Sequence, residues 1–138
     1  MSARTKARKR ALDILYEADS KSVPVPVVLA EHVRRRQAAG ESELNPHTIA
    51  LVDGVAAEQE ALDRAIEDAA QGWSLARMPA VDRAILRIGA YEVLFADDVP
   101  AGVAISEAVE LATSLSTEES PGFVNGVLGS RARAASEG

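Results

Sequence analysis

Five basic side chains crowd the start of the chain. Arg4, Lys6, Arg8, Lys9 and Arg10 fall within seven positions, and residues 1–10 contain no acid. Cations at this density are suited to neutralising phosphates, releasing condensed counterions from a nucleic-acid backbone. The remaining 128 residues carry 10 basic and 21 acidic side chains, and the whole chain is net −6. The arm is therefore a local anion site on a chain that repels anions elsewhere. The competing reading is a solvated terminal turn whose charges serve solubility.

Other reactive side chains do not assemble into catalytic patterns. His32 and His47 are the only histidines, neither stands in an HExxH pair, and there is no cysteine to complete a zinc set. Asp97-Asp98 and Glu118-Glu119 are paired acids without the spacing of a calcium loop. No glycine-rich phosphate loop or dinucleotide fingerprint is present, nor any nucleophile with a base and an orienting group. An enzyme, a metal and a cofactor are accordingly not expected. Arg34, Arg35 and Arg36 end a helical pattern, where cations complement the negative end of the helix dipole, a reading preferred over a second nucleic-acid site. Asn125-Gly126, inside FVNGVL, pairs two poor helix formers. Either Gly126 packs closely and Asn125 makes a structural hydrogen bond, or the two form an exposed polar face that contacts a partner or RNA.

Helical periodicity must position these groups. Residues 81–95, VDRAILRIGAYEVLF, are apolar nearly all round a helix, with Asp82, Arg83 and Arg87 as a narrow polar strip. Such a helix belongs inside a bundle. Gly89 marks a close helix crossing, and Glu92 lies within the apolar arc, so it must be buried with a partner. Ala7, Ala11, Ile14, Leu15 and Ala18 form the core stripe of a first helix, over residues 3–20. On that helix Lys6, Arg10 and Asp13 point outward, with Lys9 and Tyr16 at the flank, and Arg4 and Lys6 sit where the end frays. A second helix reaches Ala39, with Gly40 as its cap; Asn45-Pro46 opens a third that ends before Gly72. After a connector at 73–78 come the central helix, a helix over 102–114, and a last helix carrying Phe123, Val124, Val127 and Leu128. The small polar residues 130–138 are expected to fray. No stretch alternates long enough to form a strand. The expected fold is all-α, two packed three-helix bundles, divided as residues 1–72 with the basic arm and residues 73–138.

Hydrophobic residues make up 47% and aromatics 4%, so aliphatic side chains must fill the core. No apolar run approaches the roughly 18 residues that span a bilayer, and the basic N-terminus has no apolar stretch behind it as a signal peptide would. A cytoplasmic protein is expected, without cysteine chemistry.

Taken in order, four segments resemble the NusB family of transcription antitermination factors. They are ARKRALDILYEAD at 7–19, RMPAVDRAILRIGAYEVLF at 77–95, DVPAGVAISEAVELA at 98–112 and FVNGVL at 123–128. Residues 21–72 match in helix pattern alone. The resemblance implies a non-enzymatic RNA-binding adaptor that acts on boxA RNA of ribosomal operon leaders together with NusE, a small-subunit ribosomal protein, within the transcription elongation complex. It also implies a homodimer when NusE is absent. The arm would meet RNA phosphates through Arg4, Lys6, Arg8, Lys9 and Arg10, while Tyr16, Phe123 and Asn125 supply base contacts. The protein partner would dock on the C-terminal bundle near Asp82, with Trp73 and Arg77 as neighbours. The alternatives are a protein–protein module, or an RNA-binding domain fragment of a ribosomal RNA cytosine methyltransferase.

Overall fold

The computed structural model describes residues 2–137. Among these there are six α-helices and no strand: α1 (Ala3–Lys21), α2 (Val25–Ala38), α3 (Pro46–Ala69), α4 (Ala80–Phe95), α5 (Ala101–Leu115) and α6 (Ser120–Glu137). The all-α expectation of two three-helix bundles holds. The chain divides into two compact units, Met1–Ala57 and Glu58–Gly138, and the division falls within α3.

Local chemistry sets the boundaries of the first unit. The Ser2 hydroxyl accepts the Thr5 N–H at 3.0 Å, capping α1 and fixing the turn that carries Arg4 and Lys6. The expected fraying there does not occur. Ser22, at φ 53°, ends α1, and the Val23 N–H returns to Ala18 O at 3.0 Å. Gly40, at φ 69°, ends α2 in the same manner, with the Glu41 N–H on Arg36 O at 2.9 Å. The Asn45 Oδ1 accepts the His47 N–H at 2.8 Å, and Pro46 takes the first position of α3, where no N–H is needed. The Thr48 hydroxyl donates to Ala7 O at 3.0 Å, tying α3 to α1. Beneath lie Ala7, Ala11, Ile14, Leu15, Val28 and Val52, all buried.

In the second unit α4, α5 and α6 pack against one another. Gly89 is at their crossing: a Cβ added there would lie 2.5 Å from Leu128 Cδ1 and 3.4 Å from Ala108 Cβ. The expected close approach is thus present. Ile85, Leu86, Ile88 and Leu128 are fully enclosed. Glu92 is 1% exposed and is not without a partner, as its place in the apolar arc requires. Arg87 grips Asp63 through two parallel bonds of 2.8 and 3.1 Å. The connector before α4 forms one 3-10 turn, Leu75–Arg77, clamped by the Arg83 guanidinium on Leu75 O (3.0 Å) and Met78 O (2.8 Å).

α6 continues well past the expected fraying point, to Glu137. Ala132, Ala134 and Ala135, with Arg131 and Arg133, are among the best helix formers and outweigh the small polar residues between them. Gly138 lies outside the described residues.

Candidate functional site

In the first unit, one face of α1 carries the cations. Lys6 and Arg10 are one turn apart, exposed, and make no ion pair among the described residues. Lys9 stands beside them and pairs with Asp13 at 2.8 Å, both side chains being about 40% exposed. Exposed pairs of this kind contribute little and exchange readily for a phosphate. Tyr16 extends the face and is 42% exposed. Arg4 is exposed on the first turn and has an interaction of its own.

Arg8 departs from expectation. It is 3% exposed and already engaged, so it does not belong to the phosphate-binding set. The cause is helical phase. Arg8 precedes Ala11, Leu12 and Leu15 by three, four and seven positions, all of them buried, so it points to the core side. That spacing was visible in the sequence; the density of cations around it hid the phase.

Further along the same side of α1, a polar clasp joins α1 to α2. His32 Nε2 lies 2.9 Å from Glu17 Oε1, and Lys21 Nζ lies 3.2 Å from Glu17 Oε2. The hydrogen bond from His32, then that from Lys21, hold the Glu17 carboxyl below its ordinary value.

In the second unit, a groove of about 330 Å³ is lined by Trp73, Arg77, Met78, Pro79, Asp82, Thr117, Glu119, Ser120 and Phe123. It brings together Trp73, Arg77 and Asp82, expected at the partner surface, with Phe123, expected to contact a base. Trp73 is 55% exposed at the rim and Phe123 is half-buried. An aromatic-walled groove with a few fixed polar groups can receive an apolar side chain or a base.

Asp82 also departs from expectation. The sequence puts it on the narrow polar strip of α4, yet it is 3% exposed. The α5–α6 connection folds over the first turn of α4, so Asp82 accepts from the Ser116 hydroxyl and, at 2.9 Å, from the Ser120 hydroxyl. The Thr117 hydroxyl lies 2.7 Å from Ser120 Oγ, and the Thr117 N–H reaches the same oxygen at 3.2 Å. These hydroxyls were missed as a set. Their signal was the hydroxyl residues Ser116, Thr117 and Ser120 at a helix start, a capping pattern with more hydroxyls than a cap needs.

Asn125 and Gly126 are both exposed on α6, and nothing lies within 4 Å of a Cβ added at Gly126. Close packing therefore does not explain that glycine. Asn125 makes no side-chain hydrogen bond among the described residues and does not line the groove.

Among the described residues no cluster of His, Asp or Glu could hold a metal ion, and no helix is long and apolar enough to cross a membrane. Fold and surfaces together define a class: a small all-α protein of two three-helix bundles, with a cationic helix face on one unit and an aromatic-walled groove on the other. Within that class the chain belongs to the NusB family, whose model matches residues 5–133. It is 54% identical over 143 residues to the transcription antitermination protein NusB of Beutenbergia cavernae, covering 98% of this chain and 92% of that one. It is 59% identical to the same protein of Leifsonia xyli, covering 93% and 90%. Solved structures are similar in fold, two of them as follows. Thermotoga maritima NusB superimposes with a TM-score of 0.81 at 28% identity, covering 96% of this chain and 92% of that one. A chain from the crystal structure of antitermination factors NusB and NusE in complex with double-stranded RNA gives 0.80 at 27%, covering 95% and 96%.

Proposed function

We propose that the protein is an RNA-binding transcription antitermination factor that acts on boxA RNA of ribosomal operon leaders together with NusE. One observation carries the reading: Lys6 and Arg10, exposed and unpaired beside Lys9 and Tyr16, form a cationic face on a chain of net −6. The backbone of an RNA lies along this face, because the acidic remainder repels it elsewhere. Arg4, Lys6, Lys9 and Arg10 meet phosphates, and Tyr16 offers a ring on which a base stacks.

The groove of the second unit takes the protein partner. Trp73 is the apolar anchor and Arg77 a rim cation. Asp82 acts from within by holding the Ser116–Ser120 connection that forms one wall. Phe123 and Asn125 lie on α6 and add base contacts. NusE is the partner that fits the family, and NusB and NusE occur together with RNA in one of the similar structures. The adaptor works in the cytoplasm within the transcription elongation complex, and a second copy of the chain occupies part of its surface when NusE is absent.

The test is a titration of boxA RNA against a scrambled RNA of equal length, with and without NusE. The expected result is tighter binding of boxA and a further gain with NusE. Equal binding of both RNAs with no effect of NusE overturns the reading.

A further inference from the structure

The first unit contains a second cationic feature that the face of α1 does not account for. A cleft of about 260 Å³ opens between the start of α1, the end of α2 and the loop into α3. Its walls bear Lys6, Arg10, Arg36, Ser42 and Asn45, with Glu43 as the one acid. Three cations converge on one opening, and two of them, Lys6 and Arg10, lack a counterion among the described residues. Like charges gathered without a counterion disfavour the folded state slightly unless an anion joins them.

Arg36 is the informative member. Its Nε donates to Ser42 O at 2.8 Å and its Nη2 to Ser42 Oγ at 3.4 Å, while Nη1 lies 3.4 Å from Glu41 Oε2. A guanidinium has five N–H groups, so two remain after these contacts. The loop thus holds the fork in place before any ligand arrives, and only 20% of the side chain is exposed. The floor is fixed as well. Thr48 is bonded to Ala7 O, Leu44 is buried, and the carboxamide oxygen of Asn45 is committed to the His47 N–H. That commitment leaves the Asn45 amide group as a donor.

We propose that this cleft is a second phosphate site, in which Arg36 and Asn45 join Lys6 and Arg10 around a phosphodiester of the bound RNA. The inference rests on the RNA-binding reading and extends its track beyond α1. Lys6 and Arg10 belong to both surfaces, so one strand passes from the face of α1 into the cleft. Glu43 weakens the site by repulsion, and Glu41 is displaced in part from Arg36 when the phosphate binds.

The experiment measures RNA affinity at several salt concentrations for the parent protein, Arg36→Gln, Glu43→Gln and the double variant Lys6→Gln/Arg10→Gln. Thermal unfolding checks each fold. Arg36→Gln is expected to weaken RNA several-fold and to make the slope of log affinity against log salt shallower by about 0.7, the value of one single-strand contact. Glu43→Gln is expected to tighten RNA several-fold, a gain that misfolding cannot produce. If Arg36→Gln destabilises the loop, the Glu43→Gln result decides. An unchanged slope in Arg36→Gln and unchanged affinity in Glu43→Gln, with Lys6→Gln/Arg10→Gln still weakened, overturns the cleft and leaves the RNA reading standing. No effect in any variant overturns the RNA reading itself. If Glu43→Gln tightens inorganic phosphate alone and leaves RNA unchanged, the cleft serves the free ion and the proposal fails.

Discussion

The two units use opposite electrostatic designs. Residues 1–57 carry nine basic and seven acidic side chains, a net of +2; residues 58–138 carry six basic and fourteen acidic ones, a net of −8. In the first unit Lys6 and Arg10 are exposed, one turn apart on α1, and make no ion pair among the described residues. In the second the acid that matters, Asp82, is enclosed and consumed by hydroxyl donors, and what faces outward is aromatic. One surface acts at a distance through charge and is weakened by salt. The other acts at contact through shape, and its charge supports the wall from inside.

Substitutions at equivalent formal charge should therefore have very different consequences in the two units. Asp82→Arg is expected to produce the largest effect. It puts a cation into a 3% exposed position and strips Ser116 and Ser120 of their acceptor. Removing one member of a buried charged network costs on the order of 3–5 kcal/mol. Asp82→Asn keeps one acceptor oxygen and should cost about 1–2 kcal/mol. Chemical denaturation measures both, and parent-like stability of Asp82→Arg would erase the contrast between the units.

Reversing charge in the first unit should leave the fold alone and change the ligand. Neutralising Lys6, Lys9 and Arg10 together is expected to leave the denaturation midpoint nearly unchanged, since exposed charges contribute within about 1 kcal/mol. The salt slope of RNA affinity should become shallower by about 2, from roughly 0.7 per lost single-strand contact. All RNAs should weaken alike, because phosphate contacts carry no sequence information. Phe123→Ala, in the groove, should do the reverse. The salt slope stays constant, while the preference for boxA over scrambled RNA narrows by about 1–3 kcal/mol if a base stacks there. A variant that changes slope and preference together would show that the two surfaces are not separable.

Much of this is legible in the sequence. The stripe Ala7, Ala11, Ile14, Leu15, Ala18 named the buried side of α1, and Asn45-Pro46 named the start of α3. Gly89 named a crossing because a glycine in a helix needs a reason, and Leu128 supplies it. Arg8 was legible in phase but not weighed, since cation density is a stronger cue than the angle of one residue. Asp82 was not legible. Its burial comes from the α5–α6 connection, more than thirty residues away in sequence, and periodicity within α4 says nothing about what folds over it. Arg36 is legible only as the less favoured alternative: its helix-end position has a sufficient local explanation, and only the folded loop brings Ser42 and Lys6 to the same opening.

The smallest expected effect concerns the clasp between α1 and α2, where an acid of the first unit is held by side chains of two helices. Glu17 sits between His32 and Lys21, and the His32 hydrogen bond is the leading cause of its lowered pKa. A carboxyl whose pKa is lower in the folded than in the unfolded chain binds its proton more readily when unfolded. Its contribution to stability is therefore present in full above the ordinary glutamate value of 4.5, and it is lost as the pH falls through the folded value. His32→Ala removes the leading cause, so the Glu17 titration should move up toward 4.5 while Lys21 keeps it from arriving fully. The acid limb of the stability curve should then become less steep below that pH, with little change near neutrality beyond the lost packing of the imidazole. A carbon-detected NMR titration of the Glu17 carboxyl reads the shift directly. If the titration is the same in His32→Ala as in the parent, the clasp does not set the charge of Glu17, whose other ion pairs are with Lys21, one turn away on α1, and with Arg35 on α2.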